Sequence, residues 1–180
     1  EMGLSKGMLQ TLVVSGMIHD IGAFSLDERL NLLEFECRKP DRHCSAGYEL
    51  LRDFRPFSKA AEIIRFHHVR WNDGEGARKD GDKIPLASHI IHLADRLAVL
   101  VPKNIHALAK VQDICHEIEE RRGTWFHPDM VDAVLALAKQ DHVWLDVVSH
   151  AAERPILDCL REPARKATLD ELLAFGDLVC

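Results

Sequence analysis

The sequence predicts an all-α fold, a helical bundle, on three observations. Apolar residues recur at three- and four-residue intervals through most of the chain. Prolines, glycines and charged clusters cut those runs into helix-length pieces. No stretch alternates apolar and polar residues convincingly as a half-buried strand would. Ser5 is the expected N-cap of a first helix through Leu9, Leu12, Val13 and Ile18, ended by Gly22. Leu26 to Phe35 has helical spacing and forms a second. Beyond the breaker Arg38-Lys39-Pro40-Asp41, a third begins near His43 and carries Ala46, Leu50, Leu51 and Phe54 to the region of Pro56. Ser58 caps a fourth, with Ala61, Ile63 and Ile64 on its apolar face and His67-His68 at its C-terminal end.

The stretch VRWNDGEGARKDGDKIP reads as a loop, because it combines three glycines, alternating charges and a closing proline. Pro85 opens a fifth helix through Asp95 to about Val101, and Pro102 stops it. A sixth runs from Ile105 to Ile118 and ends at Arg121-Arg122-Gly123. HPDMVDAVLALAKQD is the seventh, with Pro128 at its start. From Val143 to Cys180 one or two short helices are expected, broken by Pro155 and Pro163. The expected organisation is a helical domain over residues 1–142 and a short helical C-terminal extension over 143–180.

The chain has 180 residues, of which 47% are hydrophobic and 29% charged, the composition of an ordinary globular protein. A net charge of -6 argues against a surface that coats a nucleic-acid polymer, while leaving room for a local basic pocket. Cys37, Cys44, Cys115, Cys159 and Cys180 are scattered, odd in number and never spaced C-x-x-C, which points to a reducing, cytoplasmic setting. The longest apolar run, Ile84 to Val101, is broken by His89, His92, Asp95 and Arg96, so no membrane insertion is expected.

Six polar residues stand against apolar neighbours: His19, Asp20, His43, His67, His68 and Asp95. They come from four separate helices or helix ends. Imidazole and carboxylate donors suit iron, manganese, zinc or cobalt. Six such groups exceed the needs of one tetrahedral zinc and suit two ions in a bundle. Asp20 is the natural bridge, since a carboxylate has two oxygens. Each histidine must be neutral to bind, so affinity should fall as pH drops through the imidazole range. Taken one at a time, each residue has a plainer explanation, as a hydrogen-bonded core histidine or a helix-end imidazole. His89 and His92 share a face with Asp95 and are candidates to join or support the ions; a polar helix face explains them more simply. Trp71, Trp125 and Trp144 are read as core or interface residues ahead of base-stacking ones.

The order His-Asp-x-Gly, His, His-His, Asp resembles the HD superfamily of metal-dependent phosphohydrolases, and within it the HD-GYP branch. The similarity lies in MIHDIG, RHCSAGYELL, IIRFHHVRWNDGEG, KIPLASHIIHLADRLAVL and RRGTWFHPDMVDAVLAL, from about Met17 to Leu137. The resemblance implies an HD-domain bundle around a buried metal centre, two divalent ions, most often iron or manganese, with zinc, cobalt or nickel as alternatives, and hydrolysis of cyclic di-GMP. It implies that His19, Asp20, His43, His67, His68 and Asp95 are the metal ligands, with Asp20 the bridging carboxylate. The reaction implied is attack on a phosphodiester by a hydroxide held between two cations about 3.5–4 Å apart. Asp20 and Lys103 are the candidate catalytic residues, and Arg70 and Arg78, with Lys79 less favoured, are candidates to neutralise the phosphate.

The sequence also departs from that family. Ala23 stands where the family typically has Lys. GEGAR, Gly74 to Arg78, lacks the Tyr and Pro of the family's loop, and His89 stands where Arg is frequent. After Asp95, LVPKNIHAL replaces a basic run and keeps only Lys103. An earlier helix that in the family donates another His does not fit between Glu1 and His19, so either the sequence is a fragment or that coordination position is absent. Three readings follow: a cyclic di-GMP phosphodiesterase, a catalytically degenerate sensor or protein-interaction domain that keeps the fold, and HD-type chemistry on another phosphoester. An upstream regulatory domain and a homodimer are further expectations.

Overall fold

Ser5 accepts a hydrogen bond from the Met8 amide and so starts α1, Lys6–Ile18. The structure, a computed structural model, describes residues 3–102, 107–161, 168–171, 173 and 176. α2, Leu26–Leu32, begins with a reciprocal cap: Ser25 accepts from the Glu28 amide, and the Glu28 carboxylate accepts from the Ser25 amide. α3 is Asp41–Leu51 and α4 is Ser58–Arg65, joined through a 3-10 turn at Arg55–Phe57. The long helix α5, Leu86–Leu100, is followed by α6, Ala107–Glu119, α7, Pro128–Leu137, α8, Asp141–Val147, and α9, Glu153–Leu160. The expected all-α bundle is what the chain forms.

The differences from the sequence expectation have physical causes. α2 ends three residues before Phe35, because the carbonyls of Leu32, Glu34 and Phe35 accept hydrogen bonds from the Arg96 guanidinium instead of continuing a helix. Ser58 is the first residue of α4 and donates back to the Arg55 carbonyl; it is not the cap. Pro155 lies inside the first turn of α9, where its missing N–H costs nothing, so it does not break the helix. Pro163 and Cys180 lie outside the described residues.

The predicted loop also contains structure. Asn72–Ala77 forms a 3-10 segment with left-handed φ at Asn72 and Asp73. β1, Arg78–Lys79, then pairs antiparallel with β2, Asp82–Lys83. Asp80 and Gly81 both have positive φ, as a two-residue Asp-Gly hairpin requires. The amides of Trp71, Asn72 and Asp73 bond the carbonyls of Trp125, Thr124 and Gly123, which fastens this loop to the turn before α7.

α4 and α5 organise the core. Leu12, Ile63, Ala87 and Ile91 join α1, α4 and α5; Leu51, Ala61 and Ile64 join α3 to α4. Leu93, Ile118, Phe126, Met130 and Val131 fill the space among α5, α6 and α7. Trp144 of α8 is buried with Ile114 and Ala138 and donates to the Ala138 carbonyl. α8 therefore packs on the bundle across position 142, and α9 lies against α1, where Gln10 bonds the Cys159 carbonyl. Gly22 allows the turn after α1 to pass against α3: a β-carbon there would run into the His43 carbonyl and the Gly47 amide.

Candidate metal centre

Each candidate donor sits where a helix ends or turns inward. His19 is the C-terminal cap of α1, and Asp20 follows in the turn that Gly22 makes possible. His43 lies in the first turn of α3 and is buried. His67 and His68 follow the end of α4, with His67 fully buried. Asp95 projects from the middle of α5.

These side chains converge. His43 Nε2 and His67 Nε2 lie 3.5 and 3.7 Å from Asp20 Oδ1, and His19 Nε2 lies 3.2 Å from Asp20 Oδ2. His19 Nε2 is also 3.6 Å from Asp95 Oδ1, and His68 Nε2 is 4.0 Å from Asp95 Oδ2. Asp20, His43, His67 and His68 each offer one donor atom within 4.8 Å of all the others. Asp20 thus faces His43 and His67 with Oδ1 and His19 with Oδ2.

The orientation of the rings matters as much as their separation. His19 Nδ1 bonds the Gly16 carbonyl at 2.8 Å, and His67 Nδ1 bonds the Ile64 carbonyl at 2.7 Å. A carbonyl only accepts, so Nδ1 carries the proton in both rings. Nε2 of the neutral ring then presents a lone pair to the centre. His19 Nε2, Asp20 Oδ1 and His68 Nε2 are buried and have no hydrogen-bond partner. Burying such atoms unsatisfied is costly. Nitrogen and oxygen donors of this kind fit a divalent transition ion.

Electrostatics divide the histidines. Burial pushes the His19 imidazole down, but the adjacent carboxylates of Asp20 and Asp95 overcome it and raise its pKa to about 10. Burial and the neighbouring His67 lower His43 to about 4, and burial lowers His68 as well. Burial would raise both carboxylates; His19 and His67 hold Asp20 low, and His19 and Arg96 hold Asp95 low.

The phosphate-binding candidates are placed differently. Arg70 donates to Glu36 at 2.8 Å and lies over the Trp125 ring, which itself stacks on Phe35. Arg78 is exposed in the hairpin and bonds the Gly81 carbonyl, and Lys79 pairs with Asp41. No contact brings these three to the donor cluster among the described residues. Lys103 lies outside the described residues. Ala23, at the position of the family's Lys, is buried. His89 bonds the Gly76 carbonyl, and His92 packs between His68 and Phe126 with Nδ1 buried and unpartnered.

Two neighbours of the cluster escaped the sequence reading. Cys44 is a buried thiol 3.5 Å from His67 Nδ1. Arg96 is buried and donates to Asp95 Oδ2 from both Nε and Nη2. The available signal was a lone arginine directly after a candidate ligand, inside a helix otherwise largely apolar.

Comparison with known proteins agrees with this geometry. A protein of Thermotoga maritima named cyclic di-GMP phosphodiesterase is 30% identical over 152 residues, covering 78% of this chain and 40% of its own length. A Vibrio cholerae protein named 3'3'-cGAMP-specific phosphodiesterase 1 is 30% identical over 161 residues, covering 84% of this chain and 37% of its own. The chain therefore spans about two fifths of the length of these curated relatives. No solved structure gives a significant match. The HD-domain family profile matches residues 1–130, from the start of the chain through the donor cluster to the first turn of α7. With that match and the His-Asp pair lodged where four helices meet, this chain belongs to the HD-domain family.

Proposed function

We propose that the protein is a metal-dependent phosphodiesterase acting on a cyclic dinucleotide, with cyclic di-GMP as the first substrate to test. The observation that carries this reading is the convergence of one donor atom each from Asp20, His43, His67 and His68 within 4.8 Å of one another, with Asp20 Oδ1 and His68 Nε2 buried and unpartnered. His19, Asp20, His43, His67, His68 and Asp95 would hold two divalent ions, iron or manganese in preference to zinc, cobalt or nickel. Bound ions supply Lewis acidity toward a phosphoryl oxygen and make water a nucleophile near neutral pH. The protein's own part is positioning. The Gly16 and Ile64 carbonyls fix two rings, and Asp20 turns one oxygen to His19 and the other to His43 and His67. The names of the relatives support the substrate class.

Residues 1–142 would carry this chemistry, with 143–180 as a C-terminal extension. The protein would act in a reducing cytoplasm, and the four described cysteines are unpaired. Among the described residues no helix is long and apolar enough to cross a membrane. An upstream regulatory domain and a homodimer belong to the same proposal.

A second reading, a sensor that binds ligand without turnover, is favoured by one observation. Arg70, Arg78 and Lys79 are engaged elsewhere, and Ala23 offers no charge. One experiment separates the readings. Protein expressed in metal-replete medium is analysed for metal and incubated with cyclic di-GMP and Mn(II) or Fe(II). A linear dinucleotide or GMP supports the phosphodiesterase; tight binding without product supports the sensor. Less than about one ion per chain removes the metal-dependent phosphodiesterase.

A further inference from the structure

Arg96 is 1% exposed, and an arginine keeps its charge wherever it is placed. Its guanidinium has five N–H groups, and all five are matched. Nε donates to Asp95 Oδ2 at 3.0 Å, and Nη2 donates to the same oxygen at 2.6 Å. Nη2 also donates to the Leu32 carbonyl at 3.2 Å. Nη1 donates to the carbonyls of Glu34 at 2.6 Å and Phe35 at 2.8 Å. One face of the group thus holds a carboxylate, and the other holds the C-terminal carbonyls of α2 and the turn beyond it.

We infer that Arg96 is a positioning residue of the metal centre, which holds Asp95 so that Oδ1 alone is offered to an ion. Asp95 Oδ2 already accepts two charge-assisted bonds, and a carboxylate oxygen so engaged is a poor further donor. Oδ1 is left facing His19 Nε2 at 3.6 Å. Without the arginine the carboxylate could rotate about its last bond and chelate through both oxygens, changing the geometry at the centre. Because the guanidinium is anchored on three backbone carbonyls, the carboxylate cannot turn without breaking a buried network. Lysine at this position would keep the charge and lose the fork, since its ammonium has three donors and no fixed plane.

The inference rests on the metal reading above, and the test separates the two. Metal-free wild type, Arg96→Lys, Asp95→Asn and the double variant are titrated with Mn(II) by calorimetry, and circular dichroism checks that each is folded. Arg96→Lys is expected to weaken Mn(II) binding by about 10- to 100-fold, the usual effect of losing an outer-shell partner. In the Asp95→Asn background the same change is expected to cost less than about twofold, because the residue through which it acts is gone. Equal losses in both backgrounds, or no loss in either, overturn the inference and leave Arg96 a staple between α2 and α5. Should a variant fail to fold or to bind, a crystal structure of Mn(II)-loaded wild type decides. An ion on Asp95 Oδ1, with Oδ2 still on Arg96, upholds the inference; chelation through both oxygens overturns it. No Mn(II) binding by wild type removes the metal reading, and this inference with it.

Discussion

The Nε2 atoms of His43 and His67 stand 3.3 Å apart, although one residue lies in α3, the other follows the end of α4, and they are 24 positions apart. His67 gives its Nδ1 proton to the Ile64 carbonyl, so its Nε2 is a lone pair when the ring is neutral. Two ring nitrogens and Asp20 Oδ1 then form a triangle with sides of 3.3, 3.5 and 3.7 Å. Donors this close to one another could hold a cation between them.

Asp20 is the hub of that arrangement. Asp20→Ala is expected to weaken metal binding by more than the roughly 10- to 100-fold seen for outer-shell partners. Metal analysis after dialysis checks this, and unchanged metal content would show the bridge to be elsewhere.

Metal binding should release protons. His19 is protonated at neutral pH because its pKa is raised to about 10, whereas His43, lowered to about 4, is already neutral. An ion taking His19 Nε2 must displace that proton, so affinity should rise with pH from 6.5 toward 10. Calorimetry in buffers of different ionisation heat reads the proton count. A count of zero at pH 7 would be inconsistent with His19 as a ligand.

Acid stability should depend on His92. Burial lowers its pKa from 6.5 to about 3. The folded state therefore binds fewer protons than the unfolded chain between those values, and stability falls as pH drops from 6.5 toward 3. His92→Leu should flatten that decline in urea titrations of metal-free protein. Because Nδ1 has no partner, the change should cost little at pH 7, within about 1 kcal/mol. An unchanged acid slope would show that the imidazole is not buried in neutral form.

Gly22→Ala should be destabilising by about 1–3 kcal/mol, the usual range for overpacking. The added methyl collides with backbone of α3, which cannot rotate away as a side chain would. Since α3 carries His43, metal affinity should fall in the same variant. Wild-type stability would mean that the turn after α1 has room to move.

The helices were readable because their signals are local. Ser5 and the Pro85 and Pro128 starts mark the ends of α1, α5 and α7 within a residue. The hairpin at Arg78–Lys83 was missed, although Asp80-Gly81 is a hairpin signal, because two-residue strands leave no alternation to detect. The end of α2 was misplaced because a side chain 61 to 64 residues away takes its carbonyls. The same limit applies to the site. His19, Asp20, His43, His67, His68 and Asp95 could be picked out by type and order. Arg96 could not be distinguished from an interruption in an apolar helix.

The sequence by itself determined the helices, because capping and periodicity act within a few residues, and it determined which side chains have the chemistry to hold a cation. Only the tertiary structure decided which ring nitrogen faces inward, that Arg70 and Arg78 are engaged elsewhere, and that Arg96 grips Asp95. Those outcomes depend on distances between segments far apart in the chain, and such distances are set by packing α1, α3, α4 and α5 against one another.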